Sequence, residues 1–325
     1  MQVEVIWEQG GLSQPMQVFL REMGLTPNFA AELSVALMAE GEMAACASLD
    51  GDVIKGVAVR PSYQGQGLTE QLMTQLRRAA FDRGIRKLFV YTKPANEMQF
   101  RGLSFFPVAR TRDALFLESE RGGLRHFLQS IAPYPGICGA AVMNCAPFTL
   151  GHRYLVEQAS SMCDHLYLFI LAEEKGLFPA ADRLELVRQG CRDLPHVSVH
   201  STGGYLISNA TFPTYFLKDQ SKTGEIQCEM DLAVFADQFA PALHLTRRFV
   251  GTEPLDPVTR AYNEALLREL PAKGIAVTQV KRLEIQQSPV SASRVRACLQ
   301  SGDFSQIRQL VPETTYQYLK SHYGG

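Results

Sequence analysis

The sequence predicts an α/β protein of two domains, the second built on a doubly wound parallel sheet. Three observations lead there. The chain has 325 residues, more than one hydrophobic core usually organises. A charged stretch with the Gly122-Gly123 break is followed by a short amphipathic segment and then Pro133 and Pro135, which reads as a boundary. Downstream of it, fully apolar runs of strand length alternate with stretches of helical periodicity. The expected domains are residues 1–125 and 126–325.

Upstream of the break, short apolar runs alternate with amphipathic stretches and give an α/β half of about domain size. Downstream, the residues dictate the elements in turn. Ile137 to Met143 is a continuous apolar run and reads as a buried strand. Gly151 to Ser160 has helical character, and Leu166 to Ala172 is a second apolar run. Arg183 to Gly190 reads as helix, Val197 to His200 as a short strand and Asp231 to Phe239 as helix. Arg248 to Val250 ends a strand, Val258 to Leu270 is helical, Ile275 to Val280 is a strand and Ser291 to Leu299 a helix. Strands buried on both faces and separated by helices imply a parallel sheet with right-handed crossovers. In such sheets ligands bind beyond the carboxyl ends of the strands, which directs attention to the loops 144–150, 173–178, 251–256 and 281–289.

Composition narrows the function classes. Lysine plus arginine number 32 against 33 aspartate plus glutamate, so no long-range field draws the chain to nucleic acid or to an anionic membrane. Any phosphate must be held locally. The first ten residues lack a basic start and an apolar core, so no signal peptide is expected, and no apolar run is long enough to span a bilayer. Seven cysteines stand singly, without a Cys-x-x-Cys pair, which argues against a disulfide framework or a zinc site and for small buried hydrophobes in a reducing cytoplasm.

Thr149-Leu150-Gly151-His152 stands where the first downstream strand turns into a helix, with Asn144, Pro147 and Phe148 just before it. A helix N-terminus offers free amide donors and the positive end of the macrodipole, so it suits phosphate. Gly151 lets a nucleotide approach the backbone, and Thr149 and His152 share the first turn as donors to an α-phosphate. Fixed donors there stabilise the charge that grows during attack on phosphorus. Read blandly, Thr149 is a helix cap and His152 an ordinary histidine. Far downstream, Val290-Ser291-Ala292-Ser293-Arg294-Val295-Arg296 follows the last strand. Its serines can cap a helix while offering hydroxyls, and Arg296 can neutralise β- and γ-phosphate charge with a planar fork of donors.

The two strings resemble the T/H-x-G-H and I-S-x-S-x-V-R signatures of the HIGH-type nucleotidyltransferases, which have a Rossmann-like sheet. Longer strings, NCAPFTLGHRYLVEQAS, SNATFPTYFLK, RRFVGTEPLDPVTRAYNEALL and SPVSASRVRACL, resemble the citrate (pro-3S)-lyase ligase family over essentially the whole chain. That resemblance implies ATP-dependent acetylation, through acetyl adenylate, of the thiol on the phosphoribosyl-dephospho-coenzyme A arm of the citrate lyase acyl carrier subunit. AMP and diphosphate are the other products, and ATP enters with Mg2+ as a substrate complex, without a tightly bound cofactor. It implies Thr149, His152 and Arg296 as catalytic residues. Asn144, Phe148, Gly151, Gly251, Glu253, Ser291, Ser293 and Arg294 are the implied binding residues, and contacts from Asn209 to Tyr215 are suggested. Glu174-Lys175-Gly176 departs from the serine-containing stretch expected before Phe178.

In the first half, Gln64-Gly65-Gln66-Gly67-Leu68-Thr69 runs from a strand through a Gly-rich turn into a helix and resembles the pyrophosphate loop of GNAT acetyltransferases. Thr69 replaces the last Gly or Ala, and Ser104 stands where that fold carries Gly. A GNAT-like scaffold without N-acetyltransferase activity fits these departures, and a sharper reading has the turn bind the coenzyme A-like arm. Two further readings stay open: a cofactor adenylyltransferase fused to a GNAT module, and a noncatalytic carrier-binding module.

Overall fold

A computed structural model describes residues 3–174, 176–206, 212–217, 219–254 and 256–324. The chain folds as two compact units, Met1–His126 with Phe212–Ala233, and Phe127–Thr211 with Val234–Gly325. The segment Phe212–Ala233 therefore belongs to the first unit although the sequence places it in the downstream half. Its aromatic residues explain this. Phe212 and Tyr215 are buried against first-unit rings, Phe212 at 5.5 Å from Tyr91 and Tyr215 at 4.9 Å from Phe29.

The first unit is a seven-stranded sheet in the order β1-β2-β3-β4-β5-β7-β6. Its strands are β1 (Glu4–Gln9), β2 (Leu33–Ala39), β3 (Glu42–Asp50), β4 (Val53–Val59), β5 (Phe89–Thr92), β6 (Phe106–Arg110) and β7 (Leu115–Glu118). Every neighbouring pair is antiparallel except β4 and β5. These two pair in parallel only at Val53 with Phe89 and Ile54 with Val90, and then part. The helix Leu68–Asp82 buries Leu68, Leu72, Met73, Leu76 and Ala80 in the core that lines this sheet, a spacing that puts all five on one helical face.

The second unit is a five-stranded parallel sheet in the order β10-β9-β8-β11-β12. The strands are β8 (Cys138–Met143), β9 (His165–Ile170), β10 (Val197–Ser201), β11 (Leu245–Gly251) and β12 (Ala276–Val280). Strand order reverses between β8 and β11, so the crevice that binds ligands in doubly wound sheets opens at their carboxyl ends. The expected α/β class and parallel sheet are what the chain forms. The helix Leu150–Ser160 seals one face with Val156 and Ala159 against Leu166, Leu168, Ile170 and Phe249. The helices Ala292–Ser301, Phe304–Leu310 and Glu313–Tyr323 build a further core around Val295, Ile307, Leu310 and Leu319. The last two helices were not anticipated from sequence.

The seven cysteines are free thiols; six are buried and Cys163 is half-buried. Burial pushes the Cys191 thiol up to about 12 and Cys163 up to about 11, so neither ionises readily near neutral pH. Among the described residues, no helix is long and apolar enough to cross a membrane.

Candidate functional site

The loop after β8 ends at Thr149, which starts the helix Leu150–Ser160 with a reciprocal cap. Thr149 Oγ1 accepts from the His152 backbone N–H at 3.3 Å, and His152 Nδ1 accepts from the Thr149 backbone N–H at 3.1 Å. Because Nδ1 is an acceptor, the neutral ring carries its proton on Nε2. Burial first, and then the positive charge of Arg282, lower the His152 pKa to about 4. At neutral pH His152 is thus an uncharged donor of fixed tautomer.

A Cβ on Gly151 would lie 2.7 Å from the Val290 carbonyl oxygen, so the missing side chain is what lets the first helix start approach the second motif. There Ser291 caps the helix Ala292–Ser301, its Oγ accepting from the Arg294 N–H at 3.2 Å. Two helix N-termini thereby face one cavity of about 470 Å3 at the carboxyl ends of β8, β11 and β12. Asn144, Gly151, His152, Gly251, Glu253, Ser291 and Ser293 line it.

The remaining residues of the expected set are not part of that lining. Thr149 is 1% exposed, and Phe148 is buried with its ring stacked on His152 at 6.0 Å. Arg296 donates to the Ala146 carbonyl at 2.7 Å and to Ser293 Oγ at 3.1 Å. Arg294 has a buried Nη1 without a hydrogen-bond partner among the described residues. Thr149 is thus bonded to the histidine, and Arg296 links the second motif to the loop after β8.

Buried Arg183 braces the rim. It donates from Nη1 to the Asn144 carbonyl at 2.8 Å and to Asn144 Oδ1 at 2.6 Å, from Nε to the Phe178 carbonyl at 3.2 Å, and from Nη2 to the Glu173 carbonyl. Glu174 serves as an acceptor for the Ala180 N–H at 3.1 Å at the start of the helix Ala180–Gly190, and Lys175 lies outside the described residues. Of the suggested stretch Asn209 to Tyr215, residues 209–211 also lie outside them. Tyr215 sits in the first unit, where its hydroxyl donates to the Tyr91 carbonyl at 3.1 Å.

Several lining residues were not singled out from sequence. Arg282 donates from Nε to the Thr252 carbonyl at 2.8 Å and pairs with Glu253, whose carboxylate also accepts from the Asp256 N–H at 3.1 Å. Asn263 donates to the Gly251 carbonyl at 2.9 Å and holds the end of β11. Arg248, in the middle of β11, is 2% exposed. The signal available for it was a pair of adjacent arginines, Arg247 and Arg248, running into the apolar end of a strand. Among the described residues, no three His, Cys, Asp or Glu side chains gather as a metal-binding set.

The first unit has its own cavity, of about 780 Å3, lined by Val57, Val59, Gly65, Gly67, Lys93 and Tyr215 among others. The helix Leu68–Asp82 starts beside it from Gly67 at φ 76, without a side-chain cap. Gly65 has φ +76 as well, and a Cβ at either position would meet nothing within 4 Å. Ser104 adopts φ 58, the left-handed region that favours glycine.

Comparison with known proteins identifies the chain. The model of the citrate lyase ligase C-terminal domain matches residues 138–319, and that of the GNAT acetyltransferase family matches residues 13–99. The citrate (pro-3S)-lyase ligase of Klebsiella pneumoniae is 41% identical over 309 residues, covering 93% of this chain and 90% of that protein. Its counterpart in Escherichia coli (strain K12) is 39% identical over 312 residues, covering 93% and 89%. A phosphopantetheine adenylyltransferase of Dehalococcoides mccartyi (strain ATCC BAA-2266 / KCTC 15142 / 195) is 39% identical over 82 residues, which are 25% of this chain and 47% of that protein. With a capped histidine at the switch point of a parallel sheet and relatives that match across both halves, the chain belongs to the citrate (pro-3S)-lyase ligase family.

Proposed function

We infer that the chain activates acetate with ATP and transfers the acetyl group to the thiol of the citrate lyase carrier arm. The convergence of two helix N-termini and an uncharged His152 on one cavity supports the first step. A carboxylate oxygen attacks the α-phosphorus, the bond from phosphorus to the bridging oxygen breaks, and its electron pair leaves with diphosphate. His152 Nε2–H and the amides at the start of the helix Leu150–Ser160 stabilise the charge gathering on the phosphoryl oxygens. Ser291, Ser293 and the N-terminus of the helix Ala292–Ser301 hold the leaving diphosphate, with Mg2+ entering on ATP as part of the substrate. A thiolate then attacks the acetyl carbonyl carbon, AMP departs with the electron pair of the bond to carbon, and the thiol proton passes to solvent.

The first-unit cavity supports a place for the phosphate-bearing arm, since two glycines without side chains expose the amides of the turn. The test is acetate-dependent diphosphate exchange, followed by acetyl transfer to purified deacetylated citrate lyase. Release of AMP and acetylation of the carrier are expected. Retention of AMP in a cofactor product would instead establish a cofactor adenylyltransferase, the activity named for the shorter match.

A further inference from the structure

Arg248 is a buried cation that meets no counter-charge among the described residues. Among the described residues its guanidinium takes part in no ion pair and no hydrogen bond, and Nε and Nη1 are buried without an acceptor. The face of its guanidinium is accounted for by the Phe235 ring, 4.4 Å away. Stacking of that kind uses the flat face and leaves the in-plane N–H groups free. A guanidinium held away from water in this way calls for an anion. It also lines the cavity that holds His152.

Strand alternation says which part of the cavity it addresses. Phe249 packs with Val156 and Ala159 on the face covered by the helix Leu150–Ser160, so Arg248, its neighbour, points to the opposite face. On β8, Met143 shares the core of the helix side, and Val142 therefore faces the same way as Arg248. The register partner of Arg248 on that strand is Ala140. The phosphate-binding helix starts are on one side of the sheet edge; a fixed cation flanked by small apolar side chains is on the other.

The geometry points to Arg248 as the residue that holds the carboxylate of the acid substrate. This rests on the ligase reading above. A small carboxylate satisfies the free N–H groups while its methyl group meets Val142, and the cation offsets the repulsion between the carboxylate and the nucleotide phosphates. A phosphate ligand of the same residue is the competing outcome.

Steady-state diphosphate exchange with the full chain separates the two. In folded Arg248→Met the acetate KM is expected to rise about tenfold or more, the loss of one charge-assisted pair. The ATP KM should stay within about twofold. Arg248→Lys, which keeps the charge, should fall between Met and the unmodified protein; it also serves if Arg248→Met does not fold. An unchanged acetate KM in a folded variant, or an equal rise of both KM values, overturns the assignment while leaving the activity intact. Absence of acetate-dependent exchange in the unmodified protein overturns the ligase reading, and the assignment with it.

Discussion

His152 is a donor because of what surrounds it. Burial and Arg282 lower its pKa to about 4, against an ordinary value of 6.5, and Thr149 holds the tautomer. His152→Ala should lower acetate-dependent exchange by about two to three powers of ten if Nε2–H acts as a preorganised donor. Circular dichroism should report an unchanged fold, and a normal rate in that folded variant would remove the histidine from the mechanism. Thr149→Val tests the cap. It should cost about 1 kcal/mol of stability and slow exchange through disorder of the ring. Protonation has a definite sign here. His165, stacked on Tyr134 and bonded to Ser198, is also lowered to about 4 by burial first, and His200 is lowered too. The unfolded chain then binds more protons than the folded one between the lowered and the ordinary values. Stability from these rings is full above pH 6.5 and is lost as the pH falls toward about 4. Urea midpoints measured from pH 7.5 down to about 5 should show the decline, with a shallower slope in His165→Phe.

At the scale of elements, the site depends on how closely two helix starts approach. Gly151→Ala would drive a methyl group into the Val290 carbonyl, 2.7 Å from the Cβ position. Backbone cannot rotate away as a side chain does, so the helix or the Ser291 loop must shift. A loss of about 1 to 3 kcal/mol in stability is expected, together with a larger loss of exchange than of fold. A substitution with normal exchange would show that this approach does not matter. Arg183 plays the matching role for the loops. Removing its guanidinium leaves the Asn144, Glu173 and Phe178 carbonyls without that donor. Arg183→Met should destabilise by about 3 kcal/mol in chemical denaturation.

At the scale of the whole molecule, the two units carry separate cavities, and the proposed half-reactions divide between them. The Gly65 and Gly67 amides serve a phosphate only while no side chain intervenes, and both residues stand at φ +76. Replacing both with valine should raise the apparent KM for the carrier and leave acetate-dependent exchange at its usual rate. Carrier acetylation with ordinary kinetics would make the turn a scaffold. Loss of exchange as well would tie the turn to the folding of the adenylation unit.

Local pattern was enough for much of this protein. Apolar runs and helical periodicity placed β8 to β12 and their helices in order, because the side-chain periods of strand and helix are properties of neighbours in sequence. The two motifs could likewise be placed at helix starts, since capping residue types act within one turn. The two C-terminal helices escaped notice, and so did three features that depend on distant partners. Tyr215 joins the first unit through Tyr91, 124 positions away, and Arg296 reaches Ala146 across 150. The isolation of Arg248 depends on which faces of β8 and β11 its neighbours occupy. Sequence alone determined the strands of the parallel sheet, the helices between them and the chemistry of the two motifs. Tertiary structure decided which groups share a cavity, which arginine is satisfied and which is left with open donors, because long-range packing selects partners that no short stretch specifies.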